Sequence, residues 1–290
     1  MNVFITGITG TLGTALAKLH HSRGDRIWGC ARDEARIVQW MIDNPRIATI
    51  FVGCASNVAD RDDDQYRCLT QCDVLYHCAA MKHVDLCESN PGEAWRSNVI
   101  LVDLIAGVCK DLKVRFVLAS SDKACLPQGV YGATKLVAER IALRYSGAVA
   151  RLGNLVGSSG SVFLKWQDAV RLNKPIEVTN LEMTRYLILV DDAAKFVADR
   201  CQPNLVTAPN MKAIRLGTLV DRMTTNVKVV GARPGETIHQ WLFAPGDVIM
   251  SEHDRFIMEC GRREWPSGMR SDTAHQWDTD ELLKLAGLKL

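Results

Sequence analysis

The alternation of short apolar runs with longer stretches of helical period constrains this chain more than any other feature. "NVFIT" (2–6), "RIWGC", "RIATIFVG" (46–53), "DVLYHCA" (73–79), "VRFVLAS" (114–120) and "AVARL" (148–152) are separated by segments such as "TLGTALAKLHHSRG", "AWRSNVILVDLIAGVCKDL" and "YGATKLVAERIALRYS". Parallel strands need crossover connections, and those crossovers are right-handed, so this rhythm predicts helices on both faces of one parallel sheet. The expected fold class is therefore α/β, a Rossmann-type doubly wound parallel sheet over residues 1–155. Beyond about residue 155 the rhythm breaks at "GSSGS" (157–161). Residues 156–290 then read as a smaller C-terminal lobe, partly interleaved with the first domain and lying over the carboxyl ends of the strands, where such sheets bind ligands.

The remaining composition excludes classes rather than naming one. A net charge of +2, with acidic and basic residues interleaved, implies no nucleic-acid partner. No apolar run reaches the roughly 20 residues of a membrane span, and no basic segment precedes the first apolar one, so a cytoplasmic location without membrane association is expected. The ten cysteines form no Cys-x-x-Cys pair, and neither Cys68-x-x-x-Cys72 nor His20-His21 has a second pair to complete a zinc set. They are expected to be reduced and mostly buried, with no metal site.

Directly after the first strand comes "TGITGTLG", with Gly7, Thr9, Gly10, Thr11, Leu12 and Gly13 forming a turn into a helix. Glycines there let backbone N–H groups approach a pyrophosphate at the helix N-terminus, whose dipole favours an anion. Strand before and helix after is the context in which this spacing reads as a dinucleotide cradle. At the end of the second strand stands Cys30-Ala31-Arg32-Asp33-Glu34. Arg32 suits the 2′-phosphate of NADP, so NADP is expected over NAD; Asp33 also reads as an ordinary helix N-cap.

"SSDKACLPQGVYGATK" (120–135) carries the chemistry. Tyr131 and Lys135 lie one helical turn apart and share a face. A lysine ammonium beside a phenol is expected to lower its pKa from about 10, so that the phenolate can take a proton from a sugar hydroxyl. Asp122 and Lys123 set an acid beside a base eight residues earlier, though a solvated ion pair in a loop uses the same letters.

These residues resemble the extended short-chain dehydrogenase/reductase family over most of the chain, from Gly7 to about residue 245. Within it, "AAMKHVDLCESNPGEAWRSNV" (79–99), "SSDKACLPQGVYGATK", "RLGNLVGSSGSV" (151–162), "MTRYLILVDDAAKFV" and "VGARPGETIHQ" (230–240) are similar to the inverting UDP-N-acetylglucosamine 4,6-dehydratases. The resemblance implies an enzyme that oxidises C4 of the sugar, eliminates water across C5 and C6, and returns the hydride to C6. Lys123 is then the base at C5 and Asp122 the acid that assists dehydration; retaining dehydratases carry Asp-Glu in that place. It further implies that Ala79 and Lys82, with Tyr131 and Lys135, meet the cofactor. His83, Asn154, Arg185, Arg233 and Glu236 meet the nucleotide sugar, and Asn98 holds the geometry of the site. Arg185 and Arg233 also suit a diphosphate by their own chemistry. A homo-oligomer is implied as well, with apolar faces on helices 92–110 and 131–146 available.

Three departures stand out. Gly53-Cys54-Ala55 replaces the family's Gly-Asp-Val, whose aspartate touches adenine; "VFLKW" (162–166) replaces an Ile-Pro-rich segment facing the sugar; and the chain is short for the family. Two other activities use the same scaffold, UDP-sugar 4-epimerisation and retaining 4,6-dehydration. The epimerases commonly carry small residues where Asp122-Lys123 stands. A dinucleotide-binding sensor without turnover is the alternative outside enzymes.

Overall fold

In the first strand, β1 (Asn2–Thr6), Val3, Phe4 and Ile5 are all fully buried, whichever face they point to. Burial on both sides is the signature of a parallel strand covered by helices, and it explains why the run is continuously apolar rather than alternating. The computed structural model describes residues 1–158, 162–231, 235–245, 249–252, 255–258 and 268–286. The strands that follow β1 are β2 (Arg26–Ala31), β3 (Thr49–Val52), β4 (Val74–His77), β5 (Arg115–Ser121) and β6 (Ala148–Leu152). They lie in the order β6-β5-β4-β1-β2-β3, all parallel. The order reverses between β1 and β4, the switch point at which doubly wound sheets open a crevice for ligands.

Three more segments extend the sheet beyond β6. Val206–Pro209 adds a seventh parallel strand, Arg255–Met258 pairs with it antiparallel, and Ile249–Glu252 in turn pairs antiparallel with Arg255–Met258. The chain beyond residue 155 thus returns to the first sheet, as does the helix Val190–Asp199, where Asp199 takes a bidentate ion pair from Arg23 at 2.8 Å. A second, smaller core of Val156, Phe163, Trp166, Ile176, Leu187, Leu219 and Leu282 lies within the C-terminal part. It is framed by a three-stranded sheet of Asn154–Val156, Thr184–Leu189 and Lys212–Arg215 and by a parallel pair of Ile176–Val178 and Val227–Val229. Trp241–Phe243 pairs antiparallel with Met269–Arg270.

Two expected elements differ in detail. The strand expected over 46–53 starts only at Thr49, because Arg46 sits at φ 64°, a left-handed conformation that cannot extend a strand. The helix expected over 92–110 is interrupted: Pro91–Trp95 and Leu101–Leu112 are joined by a π-helical turn over Arg96–Ile100. A single π turn inside a helix commonly marks a functional position, and here it holds Asn98.

Candidate active site

Gly7 follows β1 at φ 67°, with its amide donating to the Cys30 carbonyl of β2 at 2.9 Å. A Cβ on Gly7 would come within 2.9 Å of the backbone of Ala79, the segment after β4, so glycine is required twice, by conformation and by space. Gly10 is the N-cap of the helix Thr11–Ser22 and, lacking a side chain, makes no side-chain cap bond. Gly10, Thr11, Leu12 and Gly13 line the crevice at this helix N-terminus, where backbone N–H groups and the helix dipole favour an anion. Thr6 and His77, at the carboxyl ends of neighbouring strands, bond at 2.9 Å and the Thr6 hydroxyl accepts from Ala79 N, fixing the far wall of the cradle. Burial pushes the His77 imidazole down to about 3.

One continuous cleft of about 1760 Å³ runs from this cradle to the C-terminal lobe. Gly7, Thr9, Gly10, Thr11, Leu12, Gly13, Arg32, Ala79, Lys82 and His83 line it, as do Asp122, Lys123, Tyr131, Lys135, Asn154, Arg185 and Glu236. Ligand pockets for a single small molecule run to roughly 1,000 Å³ at most, so this cleft is sized for two ligands end to end. Every residue expected to meet a ligand, but one, is brought to it. Arg233 lies outside the described residues.

At the cradle's outer rim, Asp33 N-caps the helix Glu34–Asp43 by accepting from Arg36 N at 3.1 Å, and its other carboxylate oxygen is 3.5 Å from the Arg36 guanidinium. Arg32 is exposed beside it, 4.0 Å from Glu93. Cys54, in the position of the departed aspartate, opens the 3₁₀ turn Ala55–Ala59. Burial works against ionisation of its thiol, but hydrogen bonds from Ser56 and the Arg32 charge outweigh it and hold the pKa below the ordinary thiol value.

The helix Val130–Arg144, which carries Tyr131 and Lys135, begins at Gly129 without a side-chain cap of its own. Glu88 supplies one from outside, accepting the Val130 N–H at 2.6 Å. Gly132 is pressed against the carbonyl of Lys123, leaving no room for a Cβ, so the turn bearing Asp122 and Lys123 is seated directly on the helix bearing Tyr131. Asn98, in the π turn, accepts from Met81 N at 2.9 Å and donates to Met81 O at 3.0 Å and to Thr134 Oγ1 at 3.1 Å. It ties the helix Val130–Arg144 to the loop that carries Lys82 and His83.

The electrostatics of Tyr131 depart from expectation. Its phenol is not lowered: burial raises its pKa above the ordinary value, a hydrogen bond with Ser121 opposes that, and the Asp122 charge adds to it. Lys135 donates to the Ala119 carbonyl at 2.7 Å. Burial pushes it down to about 8, with Glu139 acting in the opposite sense. The lysine charge that the spacing sets against the phenol is thus weakened by the same burial that raises the phenol.

Asp122 and Lys123 form a 3₁₀ turn at the end of β5. The Asp122 side chain is 0% exposed and Lys123 28%, with Nζ 3.1 Å from Oδ1, so this is a largely buried pair opening into the cleft and not a solvated loop contact. The Ser121 hydroxyl donates to Asp122 Oδ1 at 3.0 Å, and Lys123 Nζ donates to Asn154 Oδ1 at 3.3 Å. From the far lobe comes Gln240, which sequence reasoning does not single out. In the amide orientation its neighbours dictate, its nitrogen donates to Asp122 Oδ2 at 2.6 Å and its oxygen accepts from Lys123 Nζ at 2.9 Å. Nothing local in "GETIHQ" marks that role, because its partners lie far back in the chain. Arg185, expected for a diphosphate, spends Nη1 on the carbonyls of Thr184 and Ile238, at 2.9 and 3.0 Å, and so also braces the segment that delivers Gln240. Burial lowers its pKa while the carboxylates of Asp122 and Glu236 oppose that.

The sequence matches the family model described as polysaccharide biosynthesis protein over residues 3–260. It is 29% identical over 265 residues to the inverting UDP-N-acetylglucosamine 4,6-dehydratase of Campylobacter jejuni, covering 85% of this chain and 78% of that protein. It is also 28% identical over 287 residues to an uncharacterized membrane protein of Methanocaldococcus jannaschii, covering 88% of this chain and 85% of that one. Among the described residues no helix is long and apolar enough to cross a membrane. The X-ray structure of Pen from Bacillus thuringiensis superposes with a TM-score of 0.88 at 27% identity, covering 98% of this chain and 96% of that one.

Proposed function

Because the chain belongs to the polysaccharide biosynthesis protein family, with the fold of the extended short-chain dehydrogenases/reductases, we propose that it is a nucleotide-sugar 4,6-dehydratase. Its substrate is UDP-N-acetylglucosamine, its cofactor NADP, and its product the 4-keto-6-deoxy sugar with C5 inverted. The observation that carries this reading is the buried Asp122–Lys123 pair opening beside Tyr131 in one cleft with the dinucleotide cradle. An epimerase working only at C4 has no use for that second acid and base.

The glycine turn into the helix N-terminus and the tight Ala79 wall fit a nicotinamide dinucleotide. When bound, it supplies the acceptor and donor of the hydride. Arg32 and Arg36 favour the 2′-phosphate form, because Asp33, the acid that could take a 2′-hydroxyl, is held as a helix cap. Tyr131 takes the proton of the C4 hydroxyl. Its raised pKa means that the phenol is protonated at rest, so C4 oxidation increases with pH through the neutral range. The ketone at C4 acidifies the C5 hydrogen; Lys123 removes that proton and Asp122 protonates the departing C6 hydroxyl. His83, Asn154, Arg185, Arg233 and Glu236 bind the nucleotide sugar. The exposed apolar side chains Trp95, Ile100 and Leu104 suit contact with a second copy in a homo-oligomer.

The test is incubation of the purified protein with UDP-N-acetylglucosamine and NADP, followed by mass spectrometry. Loss of one water supports the dehydratase. An isomer of unchanged mass identifies an epimerase, and an unchanged sugar with bound cofactor identifies a sensor.

A further inference from the structure

The Lys123 ammonium has three N–H donors: one goes to Asp122 Oδ1 at 3.1 Å and one to Asn154 Oδ1 at 3.3 Å, and with the Gln240 amide turned to satisfy Asp122 the third goes to Gln240 Oε1 at 2.9 Å. On the other side of the pair, the Gln240 amide nitrogen occupies Asp122 Oδ2 at 2.6 Å. A primary amide carries a donor and an acceptor at fixed separation, and here that fork spans the acid and the base at once. Gln240 is itself fixed. It is 5% exposed, its N–H donates to Ser271 Oγ at 2.9 Å, and its carbonyl accepts from Ser271 N at 2.9 Å. Two residues on, the Leu242 carbonyl accepts from the buried Arg151 guanidinium at 2.9 Å.

We propose that Gln240 is the positioning residue of the Asp122–Lys123 pair, delivered by the C-terminal lobe, and that it directs proton exchange within the pair to Oδ1. With Oδ2 engaged by the amide, the oxygen that faces Lys123 is the one left to gain a proton; Ser121, the other donor on Oδ1, also bonds Tyr131 and can turn its hydroxyl there. One Nζ–H bond breaks and one Oδ1–H bond forms, converting carboxylate and ammonium into carboxylic acid and amine with no change in total charge. The amine then takes the C5 proton, the acid gives its proton to the C6 hydroxyl, and the C5=C6 double bond forms as water leaves. The pair is back as carboxylate and ammonium with every proton accounted for. This role rests on the dehydratase reading; the hold of Gln240 on Lys123 does not.

The two are tested separately in one experiment on Gln240→Met, which keeps length and volume without the amide. The modification rate of Lys123 by an amine-reactive acylating reagent is followed by peptide mass spectrometry at fixed pH, with and without turnover of UDP-N-acetylglucosamine. Loss of a hydrogen bond to a charged group is worth roughly 10- to 100-fold. The variant is expected to label Lys123 severalfold faster than the parent and to lose roughly 10- to 100-fold in kcat with KM unchanged. A labelling rate equal to the parent's, or an unchanged kcat, overturns the proposal. If the parent labels slowly and the variant fast while neither consumes the sugar nucleotide, the hold of Gln240 stands and the dehydratase reading falls.

Discussion

Two buried ion pairs lie close together along β5, β6 and the helix Val130–Arg144, and they are built to opposite ends. Glu139 and Arg151 are sealed, 1% and 2% exposed, and bound side-on with Nε–Oε1 at 3.0 Å and Nη2–Oε2 at 2.7 Å. Ser120 donates to Glu139 at 2.5 Å and Leu242 takes the remaining guanidinium arm. Asp122 and Lys123 share a single contact at 3.1 Å, one partner opens to the cleft, and a primary ammonium replaces the guanidinium. Arginine does not release its proton in a protein and its planar fork locks a carboxylate, whereas lysine is a compact charge that can. Through Leu242, the sealed pair fastens the strand Trp241–Phe243 of the far lobe to the sheet; the open pair is able to move a proton.

Replacing Lys123 with methionine breaks the comparison most sharply. If Lys123 is the base at C5, as proposed, the substitution is expected to lower turnover roughly 10²- to 10⁴-fold. Stability should change less than turnover, since Asp122 keeps Ser121 and Gln240 as partners. Urea unfolding beside steady-state kinetics checks both halves. The sealed pair predicts the reverse. Arg151→Met leaves Glu139 buried without its cation and should cost about 3–5 kcal/mol in the same unfolding measurement, while the double variant Glu139→Leu with Arg151→Met recovers much of that loss. An unchanged stability in Arg151→Met would place the two pairs in one class.

Smaller effects are expected around the pairs. Arg32→Ala should lower the preference for NADP over NAD by roughly tenfold, read from the two cofactor dissociation constants by titration calorimetry. Further effects appear only when stability is followed against pH. His77 has its pKa pushed down to about 3 from 6.5, so the unfolded chain binds a proton that the folded one refuses. Its contribution is present above about pH 6.5 and is lost as pH falls towards 3. Lys135, pushed down to about 8 from 10.5, makes stability rise with pH between those values, again because the unfolded state holds the extra proton. Melting temperatures of His77→Asn and Lys135→Met across pH should each lose the matching slope.

The two pairs also mark how far the sequence can be read. Gly7, Gly10 and Gly13, and Tyr131 with Lys135, are legible because each set acts through local geometry, a turn or one helical face. Asp122 beside Lys123 is legible as letters, but its burial is not, since nothing in adjacent charges says which will be covered. Glu139 with Arg151, 12 residues on in the next strand, and Gln240 with Ser271, 31 residues away, meet only once helix, strand and loop have packed. The π turn at Asn98 leaves no mark in the apolar pattern either, because one added residue per turn shifts a helical stripe without erasing it. The lysine effect on Tyr131 departs from expectation for a related reason: the spacing gives proximity, whereas burial, which here dominates, depends on the whole fold.

Whether the open pair, Asp122 with Lys123, handles the proton at C5 is tested most directly by turning over UDP-N-acetylglucosamine in deuterated water and reading the product by proton NMR. Expected are loss of one water, deuterium at C5 and an inverted C5 configuration. A dehydrated product with C5 configuration retained, or one without deuterium at C5, contradicts that role.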